Sequence, residues 1–273
     1  MSIKIENVVL PSPAQMEAVI RGMRNPMNSW DKSDSGMGCT DRMTRSGEEH
    51  GVKMCKNCGA AHDSRCSCIS SIGKPQFIIG KDDLNLMKNL VAAGSDHAKF
   101  MRMITVYADI TAPLYWWKEY DTYKVGTVAN SCSTMHKIGA KEFTLEDFSC
   151  EHFLSFKSED DAQKVPYIDV SPYNDESIIF SPNGVLECII IPMLNNCRDR
   201  FLETKDKKYW WQMIQLLPSS YNQRRTVELN YEVLQNMCRK GRRLDHKLDE
   251  WREFCKLMIE TLPGFKELIE VRT

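Results

Sequence analysis

Residues 112–137 read APLYWWKEYDTYKVGTVANSCSTMHK, and the reading of the chain turns on them. The run before them, HAKFMRMITVYADIT, reads as a helix or a strand–helix unit, with Pro113 as the break. After the break, aromatics, Lys118, Lys124, Asn130 and several hydroxyls fall close together, and Gly126 lets backbone approach a ligand. Residues 217–251, LPSSYNQRRTVELNYEVLQNMCRKGRRLDHKLDEW, add Arg224, Arg225, Arg239, Arg242 and Arg243, with Gly241 among them. Arginine forks match phosphate oxygens and aromatic rings stack on bases or a flavin, so the two stretches together have the composition of a nucleotide pocket. Basic residues near a helix end also interact with its dipole and stay in water, which is the plainer account of the same arginines.

Outward from these stretches the chain punctuates itself. IKIENVVL reads as a strand, PSP as a turn and AQMEAVIRGM as a short helix. KDDLNLMKNLVAAG places Leu84, Leu86, Met87, Leu90 and Val91 on one helical stripe that ends at Gly94. ESIIFS and VLECIIIPML read as strands from their β-branched runs, the second bounded by Pro192. YWWQMIQLL, TVELNYEVLQNMCRK and LDEWREFCKLMIETL read as helices, and TLPGFKELIEV as an amphipathic tail. The pairs Trp116-Trp117 and Trp210-Trp211 are expected in the core or at a subunit contact. The simplest organisation is one α+β domain over residues 1–273, with a Cys-rich irregular segment at about 37–74.

Composition narrows the function classes. The 273 residues carry 36 Lys+Arg against 37 Asp+Glu, a net charge of −1, which gives no general field for a nucleic acid polymer or an anionic membrane. No run of about 18 apolar residues could span a bilayer, and MSIKIENVVLPSPAQ lacks the features of an export signal. A cytoplasmic protein with reduced thiols is expected, because 11 cysteines is an odd number in a long chain. Four are bunched in CKNCGAAHDSRCSC: Cys55, Cys58, Cys66 and Cys68, with His62 between the pairs. Four thiolates, or three with His62, would close a structural zinc site. The second pair is CxC and the spacing between pairs is short, so a thiol-rich loop stands beside the zinc reading. GxGxxG, GxxxxGK[ST], GxSxG and HExxH are all absent.

In order, these elements resemble a flavin-dependent thymidylate synthase over most of the chain. That family carries a Leu-Pro pair, an Asn thirteen residues after the Leu, an Arg two further on, an RLD-like element and then a Trp. Here stand Leu217-Pro218, Asn230, Glu232 in place of the Arg, Arg243-Leu244-Asp245 and Trp251. Earlier come a His and Phe (His97, Phe100), the Ala112-Pro113 pair, and the signature RHRxxSxNExSxR, which aligns from Thr122. Lys124 takes the place of its third basic residue and Thr127 that of its Ser. Asn130 and Ser133 match with one inserted residue, while Thr122, Tyr123 and Met135 replace the first Arg, the His and the last Arg.

The resemblance implies an antiparallel or mixed sheet flanked by helices, as in thymidylate synthase complementing proteins. It implies methylation of deoxyuridylate to thymidylate, with methylenetetrahydrofolate as carbon donor, FAD as the flavin and NADPH as reductant. It implies a homotetramer with sites between subunits and no cysteine nucleophile, and no catalytic side chain is assigned. FAD would be held by His97, Lys124, Thr127, Asn130 and Ser133, and the nucleotide by Tyr221, Asn230 and Arg243. Singly, each has an ordinary alternative: a helix start for His97, a solvated charge for Lys124, turn residues for Asn130 and Ser133, a helix end for Arg243. Glu232 favours a second reading, an enzyme acting on another pyrimidine nucleotide. A third is a catalytically silent nucleotide- and zinc-binding protein on the same fold.

Overall fold

The computed structural model describes residues 3–38, 76–157, 164–170 and 178–271. The fold is α+β, and its centre is an antiparallel sheet of order β1-β4-β8-β5. These strands are β1 (Lys4–Val9), β4 (Thr105–Pro113), β5 (Thr127–Ser131) and β8 (Asn222–Asn230). Two further antiparallel pairs are β2 (Gly36–Gly38) with β3 (Gln76–Ile78), and β6 (Ile168–Val170) with β7 (Ile178–Phe180). The long pair is β4 with β8, in register from Thr105 opposite Asn230 to Pro113 opposite Asn222.

Alternation dictates which side of this sheet is dry. Val106, Ala108, Ile110 and Ala112 of β4, and Val227 and Leu229 of β8, are all buried on one face. The other face is polar, with Asp109 at its middle. Asp109 accepts hydrogen bonds from Thr226 Oγ1 (2.5 Å), Asn7 Nδ2 (2.8 Å) and Arg224 Nη2 (2.8 Å). Those three donors, Thr226 first, hold its carboxyl well below the usual carboxylate range.

Helices α1 (Pro13–Arg24), α2 (Lys81–Ala92), α3 (Leu114–Tyr120), α8 (Tyr231–Cys238), α9 (Asp249–Thr261) and α10 (Phe265–Glu270) cover the dry face. Ser12 and Gln15 form a capping box at the start of α1, with Pro13 at the first helical position. Trp116, Trp117 and Tyr120 of α3 meet Trp251 and Phe254 of α9 in an aromatic cluster, with Trp116 4.6 Å from Trp251 between ring centres. A second core forms where Ile138, Phe143 and Phe148 pack on α6 (Ile191–Thr204) and α7 (Lys207–Leu216). The short helices α4 (Thr134–Lys137) and α5 (Pro182–Val185) flank it.

Two readings from the sequence are corrected, and the strand–helix alternative at Pro113 is the one that holds. VLECIIIPML is helical: a π-turn, Leu186–Ile190, runs into α6. Burial of Leu186, Leu194 and Cys197 gives it one apolar face, and Pro192, which has no N–H to give the helical ladder, sits just where the π-turn passes into α6. TVELN is not helical but ends β8; the helix begins at Tyr231 because the Asn230 side chain accepts from Val233 N at 3.0 Å and caps α8. Pro113 is the last residue of β4 and the N-cap position of α3, a strand-to-helix junction. The irregular segment expected at 37–74 is bounded by paired strands, Gly36 opposite Ile78. Among the described residues, no helix is long and apolar enough to cross a membrane.

The approach to that segment is held by a buried ion pair. Arg24 Nε donates to Asp83 Oδ1 at 2.5 Å, and the two side chains are 5% and 0% exposed. Asp83 Oδ2 accepts from Ser33 Oγ, Ser35 Oγ and Ser35 N at 2.8, 2.5 and 3.1 Å. Asp34 in turn caps α2, accepting from Asp82 N and Asp83 N at 2.9 and 3.0 Å.

Candidate functional site

The C-terminal end of β8 is where the two decisive stretches meet. β5 lies beside β8 with Thr127 opposite Leu229, so the turn entering β5 is held against the start of α8. Gly126 adopts φ +76°, and a Cβ there would come 2.4 Å from Asn230 Nδ2. Only glycine allows that backbone and that approach. The Thr127 hydroxyl donates to the Tyr123 carbonyl and fixes the turn from within. Lys124, between them, is exposed.

The third element arrives from below this turn. Arg243 lies in a 3-10 turn, Arg243–Asp245, rather than at a helix end. Its Nε donates to Tyr123 Oη at 3.0 Å and its Nη1 to Glu119 Oε2 at 2.5 Å. The guanidinium lies 4.8 Å from the Trp251 ring centre, a cation–π contact. Glu119 Oε2 also accepts from Trp251 Nε1 at 3.0 Å, so one carboxylate ties α3, Arg243 and α9 together. Of the Arg243 fork, Nη2 is the part that no described hydrogen bond engages.

Glu232, where an Arg would match the family pattern, is not a bare negative charge. Arg102 Nε donates to its Oε2 at 2.7 Å. Arg102 comes from the 3-10 turn Lys99–Arg102, which packs on α8 and follows the exposed His97. A cavity of about 280 Å³ opens here, lined by Val125, Glu232, Val233, Gln235, Asn236 and Arg239. Lys124, Thr127, Asn230 and Arg243 are thus brought into one neighbourhood.

Other expected residues lie elsewhere. Asn130 is exposed on β5 opposite Thr226, and Ser133 caps α4 by accepting from His136 N at 3.0 Å. Tyr221 is at the far end of β8, packed on Phe148 at 5.7 Å between ring centres. Burial pushes its hydroxyl pKa up. At about 3.3 Å per residue, Tyr221 and Asn230 are roughly 30 Å apart. Within one chain they do not share a pocket.

Two of the remaining arginines of the basic stretch are engaged. Arg224 pairs with Asp109, and Arg225 pairs with Asp121 at 2.7 Å while lying over Trp117. Glu119 is the site residue that sequence reasoning did not single out, since its partner Arg243 lies 124 positions away in the chain. Among the described residues no group of three or more His, Cys, Asp or Glu is placed to hold a metal. Cys55, Cys58, Cys66, Cys68 and His62 lie outside the described residues. Cys132, Cys150, Cys188, Cys197, Cys238 and Cys255 are free thiols.

No family model matches the chain, and no curated protein sequence does either. Solved structures do. A crystal structure of thymidylate synthase X from Helicobacter pylori with FAD and dUMP superposes with a TM-score of 0.52 at 14% identity, covering 99% of this chain and 97% of that one. A second structure of the flavin-dependent thymidylate synthase from the same organism, complexed with FAD and dUMP, gives 0.51 at 15% identity, covering 99% and 98%. At that identity the likeness is one of fold.

Proposed function

We propose that the chain is a single synthase-like unit over residues 1–273 that methylates deoxyuridylate to thymidylate. It would use methylenetetrahydrofolate as carbon donor and NADPH as reductant, and work in the cytoplasm. The observation that carries this reading is the closure of Gly126 onto Asn230, with Arg243 bonded to Tyr123 beneath. It unites the two halves of the family pattern at one end of β8, on a fold that superposes on flavin-dependent thymidylate synthases.

The donors in this neighbourhood suit an FAD phosphate: the exposed Lys124, the close backbone at Gly126, and Arg239. The local cavity, about 280 Å³, falls below the roughly 300–1,000 Å³ of a full ligand pocket. A homotetramer with sites between subunits answers both this and the separation of Tyr221 from Asn230, because a neighbour's β8 could bring a second Tyr221 to the first chain's Asn230. In that arrangement Lys124 and Thr127 hold the cofactor from the turn, Asn130 from β5, Ser133 from the start of α4, and His97 from just before the turn that carries Arg102. The Arg243 Nη2 edge and Asn230 face the nucleotide. Bound FAD, once reduced, supplies the hydride, and the protein supplies position and charge. Glu119 holds Arg243 so that its fork is fixed before substrate arrives.

An enzyme for another pyrimidine nucleotide draws its support from Glu232. Engagement of that carboxylate by Arg102 makes the pair neutral and leaves deoxyuridylate the better substrate. The test is flavin occupancy of purified, FAD-reconstituted protein. Lys124→Ala and Gly126→Ala should each lower it with the fold intact by circular dichroism; full occupancy in both would remove the turn from the site. Cys55, Cys58, Cys66 and Cys68 are proposed to hold one structural zinc. Metal analysis of fresh, reduced protein should find it, and a chain free of zinc would make the segment a thiol-rich loop.

A further inference from the structure

β5 runs from the turn at Gly126 toward a second, larger cavity that the reading above does not use. It has a volume of about 730 Å³, within the range of roughly 300–1,000 Å³ typical of small-molecule sites. One wall is aromatic. Trp210 and Trp211 of α7 lie edge to face, 4.8 Å apart between ring centres, and Phe201 of α6 joins them. Trp210 is held in place by its Nε1, which donates to the Met135 carbonyl at 2.9 Å. Trp211 is 48% exposed, an unusual state for the largest apolar side chain. The floor is the turn at Gly139, where a Cβ would already touch Met213 Cε at 3.6 Å and Phe201 Cδ1 at 3.8 Å.

Among the described residues, the charged and titratable groups of the rim are all nitrogen bases. His136 and Lys137 project from α4 and Lys207 from the first turn of α7, and among the described residues no acidic side chain lines the cavity. Neither lysine forms an ion pair among the described residues. Two acidic residues of the flanking helices are engaged: Asp206 caps α7 and pairs with Lys208, and Asp199 pairs with Arg198, while Glu203 beside Leu202 is exposed. Arg198, its charge matched by Asp199, also lies beside the Gly139 turn, and its solvent-shielded Nε has no hydrogen-bond partner among the described residues. An aromatic wall with a cationic rim selects a ligand with a flat ring and a negative charge.

We infer that the cavity between α4, α6 and α7 is a binding site for a small planar aromatic anion. The aromatic face stacks on Trp211 and its carboxylate, sulfonate or phosphate is met by Lys137 and Lys207. The site adjoins the proposed cofactor residues through Ser133, which caps α4, but Lys137, Lys207 and Trp211 are outside that reading and can be tested apart from it.

The test uses the full chain with anilinonaphthalene sulfonate as the probe and N-phenylnaphthylamine as its uncharged counterpart, followed by fluorescence with tryptophan excitation. The sulfonate should bind with energy transfer from tryptophan. The double variant Lys137→Glu, Lys207→Glu should weaken the sulfonate by about ten-fold or more, the scale of one charge-assisted contact, and leave the amine unchanged. Trp211→Ala should weaken both probes. All three side chains are exposed, so melting temperature should stay at the wild-type value and serves as the check on folding. Equal loss of both probes on reversing the lysines, or no loss in Trp211→Ala, would overturn the assignment. So would a change in oligomeric state of Trp211→Ala with probe binding retained, which would make this face a contact between copies of the chain.

Discussion

Trp251→Ala is expected to destabilise the protein by about 3–5 kcal/mol, the range for truncating a buried tryptophan. The side chain is fully buried and sits 4.6 Å from Trp116 and 5.9 Å from Phe254 between ring centres. Its Nε1 donates to Glu119 at 3.0 Å, and Arg243 lies over its ring. Removing it therefore opens a cavity in the main core and takes away the plate on which Arg243 rests. Trp251→Phe, which keeps a ring but not the N–H, should lose less. Denaturant unfolding of the three proteins measures this, and a loss below about 1 kcal/mol for the alanine variant would mean the core collapses around the gap.

Asp83→Ala should cost a similar amount, about 3–5 kcal/mol, for a different reason. The substitution leaves the Arg24 guanidinium buried without its counter-charge and strips the acceptor from Ser33, Ser35 and the Ser35 amide. Burial alone would push the Asp83 carboxyl up, but the Ser35 and Ser33 hydroxyls and the Arg24 charge outweigh it and bring it below its ordinary value. A carboxylate held low in the folded state adds stability above its unfolded pKa of about 3.9 and loses it as pH falls through the folded value. Wild type should thus lose stability on acidification below about pH 4 more steeply than Asp83→Ala does. Parallel acid transitions, or a thermal midpoint unmoved by the substitution, would contradict the ion pair's role. Because the same carboxylate holds residues 33–35, the variant should also loosen the β2–β3 pair that bounds the Cys-rich segment.

What the sequence revealed, and what it hid, divides along local and long-range lines. Helices α1, α2, α7 and α9 were legible because apolar spacing and capping residues sit within the element itself, as with Ser12 and Gln15. The run at 185–194 misled because three consecutive isoleucines, Ile189 to Ile191, flanked by Val185, Leu186, Met193 and Leu194, fit a strand or a buried helix equally well, and only the burial of Leu186, Leu194 and Cys197 decides. TVELN was masked by the helix that follows it without a gap, since Asn230 ends one element and caps the next. Lys124, Thr127, Asn230 and Arg243, proposed from the order of motifs, come together at one end of β8. Glu119 was not proposed, because nothing in LYWWKEY marks one glutamate as the partner of an arginine 124 positions later. The Arg102–Glu232 pair was equally hidden: an exchanged charge leaves no local trace on either side. Trp116-Trp117 went to the core as expected, whereas Trp211 stands 48% exposed on a cavity wall.

The central claim is that the altered signature around Lys124 still holds a flavin, and the visible absorbance spectrum of the purified chain after incubation with FAD and desalting tests it most directly. A retained flavin spectrum that sharpens or shifts when deoxyuridylate is added is the predicted result. A flat spectrum after reconstitution would contradict it and turn the chain into a nucleotide- or zinc-binding protein on a synthase fold.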